Sequence, residues 1–193
     1  MATESSAYFR LLGSLLYNEP DIQTIDMLLS EDLFNELPYA CDNELAVSGQ
    51  AQLNAWLKSA DAKTLAEDVS IDYMNLLVGV GKPLAPPWGS VYLDKDRLLF
   101  SEDTLNVRQF YEHYGMELKK KYSEPDDHIG LELEFIAYLL KSGKADLARD
   151  FAEKYVIPWV SKWNDDVQKY ARTDYYRALS KMAAAGVQAL CSN

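Results

Sequence analysis

The sequence predicts an all-α, single-domain bundle of about ten helices spanning residues 1–193. Three observations carry that reading. Apolar residues recur at helical spacing along most of the chain, beginning with Tyr8, Leu12, Leu15 and Leu16 at i, i+4, i+7 and i+8. Only Ser90–Leu93 hints at strand. Helix breakers gather in Gly79–Phe100, which holds Pro83, Pro86 and Pro87 with Gly79, Gly81 and Gly89 and therefore reads as one long ordered loop.

The first helix runs from about Glu4 to Tyr17. Arg10, Gly13, Ser14 and Tyr17 share its second side, where small residues admit a close neighbour. Arg10 there either meets a carboxylate or carbonyl partner or stands as an ordinary surface arginine. Asp21 caps a short helix to Leu29, and Ser30 caps another that stops at Pro38. A helix follows over about Asn43–Lys58. The next, about Lys63–Val78, places Leu65, Val69, Tyr73, Leu76 and Leu77 on one stripe and leads into the loop. Ser101 opens a helix with Glu102 and Asp103 in the first turn, where the dipole favours negative charge, and Gly115 disrupts or ends it.

In EPDDHIGLELEFIAYLL, Asp126 or Asp127 is the expected cap. Ile129, Leu133, Ile136 and Leu140 form one stripe and Phe135 and Leu139 another, so this helix belongs near the centre of the bundle. His128 and Glu132 share a face one turn apart. Beyond Gly143, Leu147, Phe151 and Tyr155 carry a helix to Pro158, Trp159, Trp163, Val167 and Tyr170 continue it, and Thr173 caps the last helix.

The net charge of −11 disfavours nucleic acid and anionic membranes and suits solubility or a cationic partner. The longest apolar run, Phe135–Leu140, is far short of the roughly twenty residues of a membrane span. The N-terminus has no secretory pattern. Cys41 and Cys191, far apart and outside any CxxC, read as small buried hydrophobes, which suits a reducing cytoplasm.

Connections inside compact domains are usually a handful of residues, and longer ones are functional or disordered. Trp88, Val91, Tyr92, Leu93, Leu98, Leu99 and Phe100 make Gly79–Phe100 too apolar for a disordered linker. The expectation is a loop pinned to the helical body that presents backbone and aromatic surface to a partner.

No motif supports catalysis. GVGK (Gly79–Lys82) lacks the first glycine of a phosphate loop and is followed by Pro83 where a Ser or Thr must hold magnesium. His128 with Asp126, Asp127, Glu132 and Glu134 can be drawn as a metal site, but helix capping explains the aspartates without one.

Two segments, APPWGSVYLDKDRLLFSEDTLNVRQFYEHYGM (Ala85–Met116) and EPDDHIGLELEFIAYL (Glu124–Leu139), closely resemble the TorD/DmsD family of all-helical redox-enzyme maturation chaperones, nearest to its DmsD branch. Weaker similarity covers YFRLLGSLLY, IDYMNLLVG, YVIPWV and YYRALS, and so nearly the whole chain. The resemblance implies a cytoplasmic chaperone, not an enzyme. It would bind the twin-arginine signal peptide on the catalytic subunit of a molybdopterin oxidoreductase of DMSO or TMAO reductase type, and hold it until cofactor insertion is complete and Tat export can proceed. The implied partners are that peptide, that subunit and the Tat translocase, with no nucleic acid and no stable membrane insertion, for a monomer or a dimer. Matching positions carry the family's binding role onto Tyr73 and Leu76, onto Pro87, Trp88 and Ser90, onto Asp127 and His128, and onto Arg10. At Gly81 and Tyr73 this chain departs from close relatives, which have tryptophan.

A peptide with two guanidinium groups and an apolar run calls for a groove with acids at one end and apolar surface along it. Asp126, Asp127, Glu124 and Glu132 are the candidate acids, and Tyr73, Leu76, Trp88 and Tyr92 the candidate surface. Trp88 is equally readable as a core anchor for the loop, and His128 as a tie between loop and helix. The alternative function is a maturation factor binding a guanine nucleotide or molybdenum cofactor. No resident cofactor is expected, GTP and molybdopterin guanine dinucleotide being the ones the resemblance allows.

Overall fold

The computed structural model describes residues 2–30, 39–79, 81–100, 102–116 and 124–192. The helix expected between Ser30 and Pro38 and the start of another at Ser101 fall outside these residues. Ten α-helices appear among the described residues: α1 Ala2–Tyr17, α2 Ile22–Ser30, α3 Glu44–Leu57, α4 Ala62–Tyr73, α5 Gly89–Leu93, α6 Glu102–His113, α7 Ile129–Lys141, α8 Ala145–Phe151, α9 Ile157–Tyr170 and α10 Asp174–Ser192. π-helical turns extend α4 over Met74–Val78 and join α8 to α9 over Ala152–Val156.

Helix α7 lies at the centre, with both of its apolar sides buried. Its main neighbour is α1, and α10 packs against α3 and α9. The small residues of α1 make that contact close. A Cβ added to Gly13 would lie 2.8 Å from the Gly130 carbonyl oxygen, and one added to Gly130 would lie 2.7 Å from Tyr17 Cβ. Ser6 Oγ donates to the Ala137 carbonyl at 2.9 Å, and Tyr8 Oη donates to that of Met182 at 2.7 Å, so α1 is tied to α7 and α10 by side-chain bonds as well as by packing. Asn43 and Asp61 cap α3 and α4 by accepting from amides of the first turn, as their residue types favour.

Several expectations are corrected. Ser90–Leu93 is helical, a single turn set inside the long connection. Pro158, across which the helix is expected to continue, does not interrupt it. It sits in the first turn of α9, where no N–H is needed, and the preceding π turn carries the chain into it. Thr173 precedes α10, but its amide and hydroxyl both donate to Asp72 of α4. Cys41 is exposed and Cys191 half-buried, and both are free thiols, so neither is the fully buried hydrophobe expected.

The chain leaves α4 through its π turn and folds back. Gly79 adopts φ +73, its amide closes the turn on the Met74 carbonyl at 2.6 Å, and Pro83 leaves no room for a Cβ there. The returning chain satisfies the carbonyls that the helix end leaves open: Leu84 N donates to Asn75 O at 3.2 Å and Ala85 N to Leu76 O at 2.8 Å. Leu76 is thereby wholly buried. Among the described residues no helix is long and apolar enough to cross a membrane.

Candidate functional site

Pro87–Gly89 runs antiparallel to Asp127–Ile129, pairing Trp88 with His128 in a single β-bridge. Gly89 N donates to Asp127 O at 2.9 Å and Ile129 N to Pro87 O at 2.8 Å. The loop is thus clamped by backbone bonds to the start of the central helix. Prolines set this up: Pro86 and Pro87, both buried, hold the strand-like approach extended.

Side chains lock the clamp. Asp127 is 1 % exposed. One of its carboxylate oxygens accepts from Ser90 N and the other from Thr104 Oγ1 at 2.8 Å, so it joins the first turn of α5 to α6. Asp126 accepts from Arg108 Nε at 2.7 Å, and its carbonyl accepts from Tyr111 Oη at 3.1 Å. Burial pushes the Asp127 carboxyl up, against the hydrogen bonds that pull it down. The cap of α7 itself is His128, whose Nδ1 accepts from Gly130 N at 3.0 Å, and not Asp126 or Asp127 as expected. That bond leaves Nε2 to carry the proton of a neutral ring. Tyr17 and Trp88 stand edge-on to the ring, with centroids at 5.2 and 6.0 Å.

These contacts connect a row of rings: Trp88 to His128, His128 to Tyr17, and Tyr17 to Tyr73, whose Oη donates to Tyr17 O at 3.2 Å. Trp88, Tyr17 and Tyr73 are each partly exposed. Trp88 Nε1 is buried without a hydrogen-bond partner. Tyr17 Oη donates to Glu124 at 2.8 Å, and that bond adds to burial in raising the tyrosine. The structure therefore brings Tyr73, Trp88, Pro87, Ser90, Asp127 and His128 into one neighbourhood, with Asp126 behind it.

Three predicted positions lie apart from the row. Tyr92 stacks on Trp159 at 5.7 Å and 16°, under Arg97, and its hydroxyl reaches Asp166. Leu76 belongs to the core. Arg10 lies two helical turns from Tyr17, in a separate cleft of about 360 Å³ with Ser14, Glu134, Tyr138 and Lys141. Of the four acids expected at the groove three are corrected, while Glu124 is partly exposed beside the row, where it accepts from Tyr17 Oη. Asp126 and Asp127 face inward and are already bonded, and Glu132 is wholly buried with no hydrogen-bond partner for either oxygen among the described residues. Among the described residues no group of three His, Cys, Asp or Glu side chains could hold a metal.

Sequence reasoning missed Tyr17 as a member of the row and Thr104, Arg108 and Tyr111 as the supports of the acidic turn. For Tyr17 the signal was present, since it lies one turn beyond Gly13 on the side that the small residues opened. Nothing in the spacing of α6 points its polar residues toward residues 126–127.

Burial sets two opposing pH responses. It lowers His128 to about 3, so the folded state refuses a proton that the unfolded chain accepts below about pH 6.5. Stability is then lost on acidification between those values, at roughly 1.4 kcal/mol per pH unit. Glu132 is pushed well above the usual carboxylate range by burial and then by the Asp127 charge, so the stability tied to its proton is lost as pH rises through its folded value. Glu132→Gln is expected to raise the thermal midpoint at neutral pH and to flatten the decline on the alkaline side, leaving the acid-side loss in place. Midpoints across pH 4 to 9 check this, and a Glu132→Gln midpoint equal to the wild type at every pH contradicts it.

The architecture is a helical bundle that holds one extended, aromatic-bearing segment in a backbone clamp at the start of its central helix. Residues 42–165 match the family described as nitrate reductase delta subunit, and the chain belongs to that family, the TorD/DmsD group of redox-enzyme maturation proteins. Among its relatives is the "Probable Tat proofreading chaperone DmsD" of Haemophilus influenzae, 28 % identical over 95 % of this chain and 88 % of that one. The Tat proofreading chaperone DmsD of Salmonella typhi is 28 % identical over 90 % of this chain and 82 % of that protein. The chaperone protein TorD of Shewanella pealeana is 25 % identical over 95 % and 86 %. The fold matches that of a "Putative Redox Enzyme Maturation Protein" from Archaeoglobus fulgidus, solved by crystallography, with a TM-score of 0.57 at 19 % identity over 93 % of this chain and 91 % of that one.

Proposed function

We propose that this protein is a cytoplasmic chaperone for a molybdopterin oxidoreductase of the DMSO or TMAO reductase type. It binds the twin-arginine signal peptide of the catalytic subunit, keeps the precursor from the Tat translocase until its cofactor is in place, and turns over no substrate and holds no cofactor of its own. The names of its relatives, Tat proofreading chaperone and TorD chaperone, support this reading. So does one feature of the site: the Trp88 ring is partly exposed and held in place by the backbone clamp. A fixed aromatic surface offers a peptide apolar contact at little ordering cost.

The experiment is a titration with a labelled synthetic peptide that carries two adjacent arginines followed by an uncharged run of Leu and Ala, set beside a titration with GTP. The wild type is expected to bind the peptide and to release no phosphate from GTP. Trp88→Ala is expected to weaken peptide binding at least about tenfold, as the loss of a central tryptophan commonly does. A wild type that ignores the peptide, or one that hydrolyses GTP, overturns the function.

A further inference from the structure

With Asp126, Asp127 and Glu132 buried and Glu124 already engaged by Tyr17 Oη, what receives the arginines of such a peptide is open. A groove of about 630 Å³ lies between the α1–α2 turn and α4. Glu19, Asp21 and Glu67 line it, and no basic residue does. Asp21 is engaged as the cap of α2 through Thr24, whereas Ser70 Oγ donates to Glu19 and so orients its carboxylate. Glu67 meets the exposed Lys63 at 3.9 Å, a pairing weak enough for an incoming guanidinium to replace.

The same helix continues the groove as apolar surface. Ile71, Met74 and Val78 follow at i, i+3 and i+7 and are 51 %, 41 % and 42 % exposed, while their neighbours Leu76 and Leu77 are buried. Leu84, 46 % exposed, is bonded through its amide to the Asn75 carbonyl and extends the stripe toward the loop. Tyr73 lies at one end of the aromatic row, and burial first, then the charges of Glu124 and Glu19, raise its hydroxyl. From Glu67 to Val78 the helix rises about 16 Å, the length of about five extended residues. That fits two arginines and the first apolar residues after them.

We propose that the groove at Glu19 and Glu67 is the arginine subsite for a peptide whose apolar run lies along Ile71, Met74, Val78 and Leu84. The proposal rests on the peptide-binding function above and assigns its charged end to acids at the surface. Charge complementarity selects the occupant: a cationic segment with an apolar tail matches acids followed by an apolar stripe, in that order.

The test uses the full chain and the same labelled peptide. Glu19→Gln with Glu67→Gln is expected to lower affinity about tenfold at low salt and to flatten the salt dependence. A peptide with both arginines replaced by Gln is expected to lose a similar factor against the wild type and little more against the double variant. Ile71→Ser with Met74→Ser is expected to weaken the original peptide by a comparable factor. All four side chains are exposed or held by exposed groups, and unchanged thermal midpoints confirm that the variants are folded. If Trp88→Ala weakens binding while both double variants bind as the wild type does, the arginines go elsewhere and this subsite falls, with the chaperone function intact. If Ile71→Ser with Met74→Ser only converts a dimer to a monomer and leaves affinity unchanged, the stripe is a self-association face and the proposal fails. A wild type that does not bind the peptide removes both readings together.

Discussion

Gly130→Val is expected to lower the thermal midpoint by roughly 6 to 12 °C, the equivalent of about 3 kcal/mol for a domain of this size. A Cβ at Gly130 already meets the Gly13 carbonyl at 2.8 Å and the Tyr17 backbone amide at 3.0 Å, and these atoms cannot rotate away as the tip of a side chain can. The α1–α7 contact must therefore open. Because Gly13 meets Gly130 and Glu134 in the same way, Gly13→Val is expected to cost about as much. Tyr17 rides on this contact, so its edge-on approach to His128 is expected to be lost as well. Thermal unfolding followed by circular dichroism gives the first quantity and peptide titration the second. Midpoints within about 2 °C of the wild type would show that α1 does not pack on α7 as described.

Asp127→Ala is expected to cost about 3 kcal/mol, since it leaves the Ser90 amide and the Thr104 hydroxyl buried without an acceptor. Its second effect is local. With the side-chain lock gone, the two backbone bonds of the Trp88–His128 bridge stand alone, and Trp88 loses its fixed position. Hydrogen exchange is expected to rise sharply at the Gly89 and Ser90 amides while α10 amides change only as far as global stability does. Asp127→Asn keeps one acceptor oxygen and is expected to lose about half as much. Exchange that accelerates equally in α5 and α10 would mean that Asp127 supports the fold generally and does not lock the loop.

The bundle itself was readable because burial leaves a trace at helical spacing. The two apolar sides of α7 and the small face of α1 both appear in the structure where the sequence places them. The ends of elements were less readable. Asp126, Asp127 and His128 are three consecutive residues able to accept from a helix amide, and the choice among them was made by Ser90, Thr104 and Arg108, whose arrival at that turn no local pattern records. The turn at Gly89–Leu93 was hidden by its aromatic and β-branched residues, which resemble strand. Glu132 illustrates a different limit. Its spacing from His128 announces a shared face, yet a carboxyl group at a central position of a buried helix looks no different in sequence from one at the surface. The site was legible in proportion to its backbone: Pro86, Pro87 and Gly89 announced the clamp, while the surface acids at Glu19 and Glu67 lie in segments that read only as ordinary solvated turn and helix.

The bonds that tie α1 to the rest of the molecule have a cost during synthesis. Tyr8 reaches Met182 across 174 residues, and Ser6 reaches Ala137 across 131. At about 5 to 20 residues per second, the partner of Tyr8 leaves the ribosome on the order of ten seconds or more after Tyr8 itself. Helix α7, the main neighbour of α1, is reached only at the Ser6–Ala137 separation of 131 residues, so Phe9, Leu12 and Leu16 wait for that much of the chain before they can be covered.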